Sequence, residues 1–451
     1  MGIFKAYDIR GLHPSEINPD IARKIGRAFS DLLGPGPVIV GRDVRVHSPL
    51  IAEAVRAGLC DVGREVVDIG LASTPMAYYA IGSREVAGGL VVTASHNPGE
   101  YNGMKLCREG AKPIAYTTGI DLIEAACAGE GPPSGATSGS VEVIDLTADY
   151  FAHVAAFAHL IEPVKVAIDA ANGMAGYTLP GILKLIPEIQ AEAIFMEPDG
   201  TFPNHEANPL KEENLDPVRD LIAKTGAQVG VSFDGDADRC CFVDERGQTV
   251  SADLITALLA RDMIAQRGPI SVVYDLRSSW VVKEEVEAAG GRAIRDRVGH
   301  SFIKATMREE GALFGGELSG HFYFAENFTT DSGVLAMISV LNLIARHPGT
   351  PFSQLVGDLR RYHQTGEINF RVEDTAKAMA ALREAFPEGR VDELDGVTIE
   401  CGALGDAEWW WCNVRSSNTE PLLRLNLEAN SAELRNRMRD QAVELLGEPL
   451  E

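Results

Sequence analysis

The chain of 451 residues has no apolar run approaching the ~20 residues that a membrane-crossing helix needs. The longest candidate, Val334 to Ile344, falls far short, and the opening Met-Gly-Ile-Phe-Lys-Ala-Tyr has no apolar signal core. Position 6 is Ala where N-myristoylation wants Ser or Thr. Basic residues are also scarce. The 41 Lys plus Arg face 65 Asp plus Glu, a formal charge of −24 that argues against nucleic acid or an anionic membrane as the main partner. Cysteine is sparse and unpatterned: Cys60, Cys107, Cys127, Cys240, Cys241, Cys401 and Cys412 form no CxxC pair. Neither a disulfide framework nor a zinc site is indicated, and a reducing, cytoplasmic setting is expected.

What the chain does have is glycine, 45 residues, about a tenth of the whole against a usual ~7%, which favours many tight loops. Short β-branched runs alternate with helical patterns, as in Val38-Ile39-Val40 followed by a helix from about Leu50 to Val62, so βαβ units and a largely parallel sheet are expected. The segments PVIVGRD, VKVAIDAANG and ISVVYDLRSS each run from an apolar strand to an Asp near its end. Each has a downstream companion, GLVVTASHNPG, VGVSFDGDADR and ALFGGELSGH. Spacings of ~100 to 130 residues imply three similar α/β domains rather than a solenoid. The Gly/Pro/Ser-rich Glu130 to Ser140 reads as a connection, a weaker break lies near Tyr362 to Glu367, and the remainder follows a different pattern. The expected division is three similar mixed-sheet α/β domains, 1–140, 141–248 and 249–362, and a smaller α+β domain, 363–451, around one central cleft. Ligands of open α/β sheets sit beyond the carboxyl ends of strands, where all three companion loops lie.

Those loops carry the chemistry. Asp234, Asp236 and Asp238 alternate with small residues after a strand; three carboxylates held so close repel unless a cation lies among them, and oxygen-only ligation points to Mg²⁺, an acidic surface turn being the alternative. An EF-hand is excluded because its sixth position, a sharp turn usually made by Gly, is Arg239 here, and Cys240 to Val243 reads as a strand. Ser95 follows another strand, near Asn97, Pro98 and Lys105. Alone it reads as a turn hydroxyl, because a nucleophilic Ser needs a base or metal, adjacent His96 cannot supply a triad, and no GxSxG elbow is present. Glu317 and Ser319, on a Gly-rich loop, could read adjacent sugar hydroxyls or be an exposed turn. Arg415, Ser416, Ser417, Asn418 and Thr419 offer a fork of N–H donors with hydroxyls and an amide, suited to phosphate. Trp409 to Trp411 reads as core or interface.

Together, Phe4 to Gly11 (FKAYDIRG), TASHNP, DGDADR, GGELSGH and RSSNTEP resemble, in order and over essentially the whole chain, the α-D-phosphohexomutase family, specifically its bacterial phosphomannomutase/phosphoglucomutase branch. The resemblance implies three α/β domains and a fourth, smaller one. Ser95 would be a phosphoserine, with Asp234, Asp236 and Asp238 holding Mg²⁺ together with a phosphoserine oxygen. Arg239 would lie beside the metal loop, Glu317 and Ser319 would read sugar hydroxyls, and Arg415, Ser416, Ser417, Asn418 and Thr419 would grip the non-reacting phosphate. Tyr7, Arg10, Lys105, Arg277, His300 and His321 would line the site, and Arg10, Lys105 and the histidines are the candidates for charge stabilisation and proton transfer. The implied reaction moves phosphate between O1 and O6 of mannose or glucose through a hexose 1,6-bisphosphate, in a monomer or homodimer. A phosphoglucosamine mutase, a sugar-phosphate phosphatase and a non-catalytic phosphosugar-binding protein are the alternatives. The stretch Asp199 to Leu215 resembles the mannose/glucose branch, Leu318 departs from the polar residue expected of phosphoglucosamine mutases, and Arg277 stands where a lysine is expected.

Overall fold

The computed structural model describes residues 2–129, 138–416 and 422–450. The predicted connection at Glu130 to Ser140 therefore lies mostly outside the described residues. Within them the chain forms four sheets, three mixed and one antiparallel.

The first three sheets share one motif. Val38–Arg42 lies between Val66–Leu71 and Gly88–Val92, all parallel; Val164–Asp169 lies between Ile189–Ile194 and Val229–Phe233; Ser271–Asp275 lies between Arg292–Asp296 and Phe314–Gly316. In each, the last of these strands turns back into an antiparallel partner, Tyr101–Arg108, Cys240–Asp244 or Phe322–Phe324. The three reversals are the TASHNP, DGDADR and GELSGH loops. The sheets are thus mixed, as expected of the three α/β units, and the loops are hairpin turns that hold both ends of each segment on the same sheet.

The predicted helix near Leu50 spans Ser48–Asp61. The apolar run at Val334 forms Gly333–Arg346, buried on nearly every side, with Ser332 Oγ accepting from Leu335 N at its start. Burying each Leu, Val or Ile side chain is worth about 1.5 to 3 kcal/mol, which is why this run is core. Among the described residues no helix is long and apolar enough to cross a membrane.

Two short edge strands cross the divisions drawn from sequence. Val141–Val143 pairs parallel with Val66 to Asp68 of the first sheet, and Thr249–Val250 pairs with Phe242 and Val243 of the second. Backbone pairing, which composition does not reveal, carries each sheet two or three residues past the predicted boundary. The weak break at Tyr362 to Glu367 runs into the strand His363–Phe370, which opens the fourth sheet beside Leu423–Ala429 and Trp410–Ser416.

One continuous apolar core runs through the first three units, while the fourth has its own, built on Phe370, Leu382, Ile399, Leu425 and Met438. The fourth unit docks on the third through Trp280 and Trp409, edge to face at 5.4 Å, with Tyr362 beside Trp409 at 5.0 Å. Buried Glu428 joins them, its Oε1 accepting from Trp280 N and Trp411 Nε1, both at 3.0 Å. The Trp409 to Trp411 run is both core and interface.

Candidate active site

Ser95 is 1% exposed and takes a left-handed backbone, φ 50°. Its Oγ donates to Asp234 Oδ2 at 2.8 Å and accepts from Arg239 Nη2 at 2.6 Å. Gly235 permits this approach, because a Cβ there would stand 2.5 Å from the Ser95 carbonyl oxygen. His96 touches both Ser95 and Arg239, yet burial, then Arg239 and Arg10, hold its pKa well below the usual imidazole value, so the ring stays neutral.

The three aspartates are fully buried, with one oxygen of each within 4.8 Å of the others. Burial, then Asp236 and Asp238, push Asp234 well above the ordinary carboxylate range. Burial also raises Asp236 and Asp238, but their partners together outweigh it and lower both: Lys105 Nζ is 3.0 Å from Asp236 and pairs still more closely with Asp238, Thr74 Oγ1 donates to Asp236 at 2.6 Å, and Arg239 lies near Asp238. Asp236 Oδ1 and Asp238 Oδ1 are buried without a hydrogen-bond partner among the described residues. Converging, partly unpaired oxygens with no sulfur or nitrogen among them fit a hard divalent cation.

The remaining predicted residues surround this centre. Arg10 bonds Asn97 of the Ser95 loop and Asp8. His321 Nε2 lies 3.6 Å from Asp238 Oδ1, its Nδ1 2.9 Å from Ser319 Oγ, and its ring 6.2 Å from His300. Burial, followed by neighbouring cations, keeps both imidazoles neutral. Tyr7 lies edge to face with His300 and donates to Val298 O at 2.6 Å. Glu317 accepts from Gly299 N at 2.8 Å and from Tyr323 Oη, and its pKa is pushed up to about 7 by burial, then by Asp275.

Arg277 grips Asp275 with Nε at 3.1 Å, Nη2 at 2.9 Å and its backbone N–H at 2.7 Å, and Asp275 also accepts from the backbone N–H of Leu318, so the guanidinium is tied to the Glu317 loop. Its Nη1 lies 3.6 Å from Glu367 of the fourth unit, which also meets Arg415 at 3.5 Å and Arg424 at 2.9 Å. Ser416 ends a strand, exposed; Ser417, Asn418 and Thr419 lie outside the described residues.

Sequence reasoning missed several polar partners: buried Thr74 on Asp236, buried Tyr323 on Glu317, half-buried Glu367 among three arginines, and the buried Lys304–Asp331 pair at 2.5 Å, whose Asp331 lies 3.8 Å from His321. It also missed Arg45, which ends the GRDVR run that leaves the strand Val38–Arg42.

Comparison with known proteins agrees with this constellation unit by unit. Family models described as phosphoglucomutase/phosphomannomutase, alpha/beta/alpha domains I, II and III match residues 1–131, 148–247 and 251–362, and the C-terminal domain matches 367–445. A phosphohexose mutase of Xanthomonas campestris pv. campestris is 41% identical over 436 residues, and a phosphomannomutase of Salmonella montevideo 40% identical over 437, each alignment covering 94% of both chains. A solved phosphoglucomutase/phosphomannomutase family protein from Burkholderia thailandensis superposes with a TM-score of 0.89 at 32% identity, covering 98% of this chain and 97% of its own. With all four family domains matched, and the Ser95 and His321 loops both meeting the aspartate loop, the chain belongs to the phosphoglucomutase/phosphomannomutase family of phosphohexose mutases.

Proposed function

We propose that this phosphohexose mutase moves phosphate reversibly between O1 and O6 of mannose and glucose phosphates, with Ser95 carrying the phosphoryl group. The observation that carries the reading is Ser95 Oγ, buried between Asp234 and Arg239. Phosphoserine 95 yields its phosphoryl group to the free sugar hydroxyl: the Oγ–P bond breaks, a sugar O–P bond forms, and the hydroxyl proton passes to a neutral imidazole, His300 or His321. The hexose 1,6-bisphosphate then turns over within the cleft, and its other phosphate returns to Ser95.

Arg239, Arg10 and Lys105 stabilise charge on the transferring group, a task of positioning and electrostatics. Asp234, Asp236 and Asp238 would hold Mg²⁺, which when bound neutralises phosphoryl charge. Glu317 and Ser319 read sugar hydroxyls, while Arg415 and Arg277, with Ser416, Ser417, Asn418, Thr419 and Tyr7, hold the non-reacting phosphate end. A phosphate grip on a separately cored fourth unit lets one cleft serve both sugar orientations. The near-complete burial of Ser95 supports transfer over hydrolysis, and the apolar Leu318 supports a neutral hexose over glucosamine.

The test is a coupled assay on mannose 1-phosphate and glucose 1-phosphate with Mg²⁺ and trace glucose 1,6-bisphosphate. A 6-phosphate product from either is expected. No product from both, together with turnover of glucosamine 6-phosphate or release of inorganic phosphate, contradicts the reading.

A further inference from the structure

Arg45 lies in the turn between the strand Val38–Arg42 and the helix Ser48–Asp61, and its side chain is 0% exposed. A buried guanidinium needs acceptors, and nearly all of these come from one loop. Nη2 donates to the carbonyls of Ser95 at 2.7 Å and Asn97 at 2.6 Å; Nη1 donates to those of Pro98 at 2.7 Å and Tyr101 at 3.1 Å. Nε faces Asp43 Oδ2 at 3.2 Å, and Asp43 is itself fixed by the Ser48 hydroxyl and the Arg45 N–H. One side chain thus gathers four carbonyl oxygens of the segment that carries Ser95.

The second unit closes over the same group. The Phe202 ring centre is 5.1 Å from the guanidinium carbon, and a Cβ on Gly200 would strike the Arg45 backbone at 2.5 Å. Phe202 also borders Gly235 of the aspartate loop. The Ser95 carbonyl is therefore held from one side by Arg45 and pressed from the other by Gly235, at the residue whose left-handed φ turns Oγ toward Asp234 and Arg239. Lysine, a point charge with three donors on a flexible stem, cannot reproduce this planar fork.

We propose that Arg45 is a positioning residue of phosphoryl transfer, aiming Ser95 Oγ at the aspartate loop and fixing the first unit's loop against the second. The proposal rests on the reading of Ser95 as phosphoryl carrier. A small misplacement of reacting atoms costs orders of magnitude in rate with little effect on binding made elsewhere.

The experiment compares full-length wild type, Arg45→Lys and the gentler Asp43→Asn. It measures kcat and KM for glucose 1-phosphate per folded molecule, uptake of a phosphoryl group from glucose 1,6-bisphosphate by intact mass, and the unfolding midpoint. Arg45→Lys is expected to lose about 100-fold in kcat with KM within about twofold and to take up phosphate more slowly, and Asp43→Asn to lose about tenfold in the same way. Unchanged kcat in a folded variant, or a loss confined to KM, overturns the role of Arg45. If Arg45→Lys does not fold, Asp43→Asn decides by the same criteria. Wild type that neither turns over nor takes up phosphate overturns the Ser95 reading and Arg45's role with it; wild type that does both while the variants match it refutes Arg45 alone.

Discussion

Ser95 Oγ and Asp234 Oδ2 stand 2.8 Å apart although 139 residues separate them in the chain. Each lies at the turn of a strand hairpin, in a different sheet, so the contact exists only once two units have packed. The hydroxyl donates to a carboxylate that burial and two neighbouring aspartates already disfavour as an anion. Placing a phosphoryl group on Ser95 adds further negative charge at the same point. A divalent cation among these oxygens resolves both conflicts.

Metal dependence follows from that conflict. A chelator is expected to abolish turnover and Mg²⁺ to restore it. Because cation binding relieves repulsion present only in the folded state, Mg²⁺ should also raise the unfolding midpoint, by about 2.7 kcal/mol in stability at a hundredfold over its Kd. Scanning calorimetry of Asp234→Asn with and without Mg²⁺ checks this: the variant should be at least as stable as wild type without metal, gain less from it and lose nearly all turnover.

The pH dependence of sugar recognition should pass through Glu317. Only the carboxylate accepts two sugar hydroxyls, and its pKa is about 7, so binding strengthens as pH rises through 7. KM for glucose 1-phosphate is expected to be about tenfold higher at pH 6 than at pH 8, a slope that Glu317→Gln removes. Stability runs the opposite way. With an ordinary value of 4.5, what the neutral acid contributes is fully present below about 4.5 and is lost as pH rises toward 7.

The seam between third and fourth units makes a separate prediction. Glu428 is raised to about 7, chiefly by burial, against the hydrogen bonds of Ser279, Trp411 and the Trp280 backbone and with Asp253 nearby. Its neutral form stabilises the fold fully below pH 4.5, and that contribution, about 3 kcal/mol, disappears between 4.5 and 7. Glu428→Gln keeps the acceptor for both tryptophans while discarding the charge. It should flatten the pH dependence and exceed wild type in stability at pH 8, measured by denaturant unfolding.

Much of this was legible in the sequence because the loops announce themselves. A β-branched run ending in DGDADR or GGELSGH combines strand periodicity with small residues where loops must approach closely, and five such segments in order identify the family. What was not legible depends on distance in the chain. Arg45 and Thr74 serve loops 50 and 162 residues away. Their buried bonds leave no periodic trace. The edge strands Val141–Val143 and Thr249–Val250 are too short to show alternation, so their pairing was not legible. That the sheets are mixed was legible, but which strand of each runs antiparallel was not, because a hairpin strand and a buried parallel strand look alike as short apolar runs.

Whether Ser95 carries the phosphoryl group is decided by intact mass after incubation with glucose 1,6-bisphosphate and Mg²⁺. Wild type should hold one phosphoryl group and Ser95→Ala none, while calorimetry shows the variant still binding glucose 1-phosphate. A phosphoryl group retained by Ser95→Ala, or wild type that turns over without ever holding one, would show that Ser95 is not the carrier.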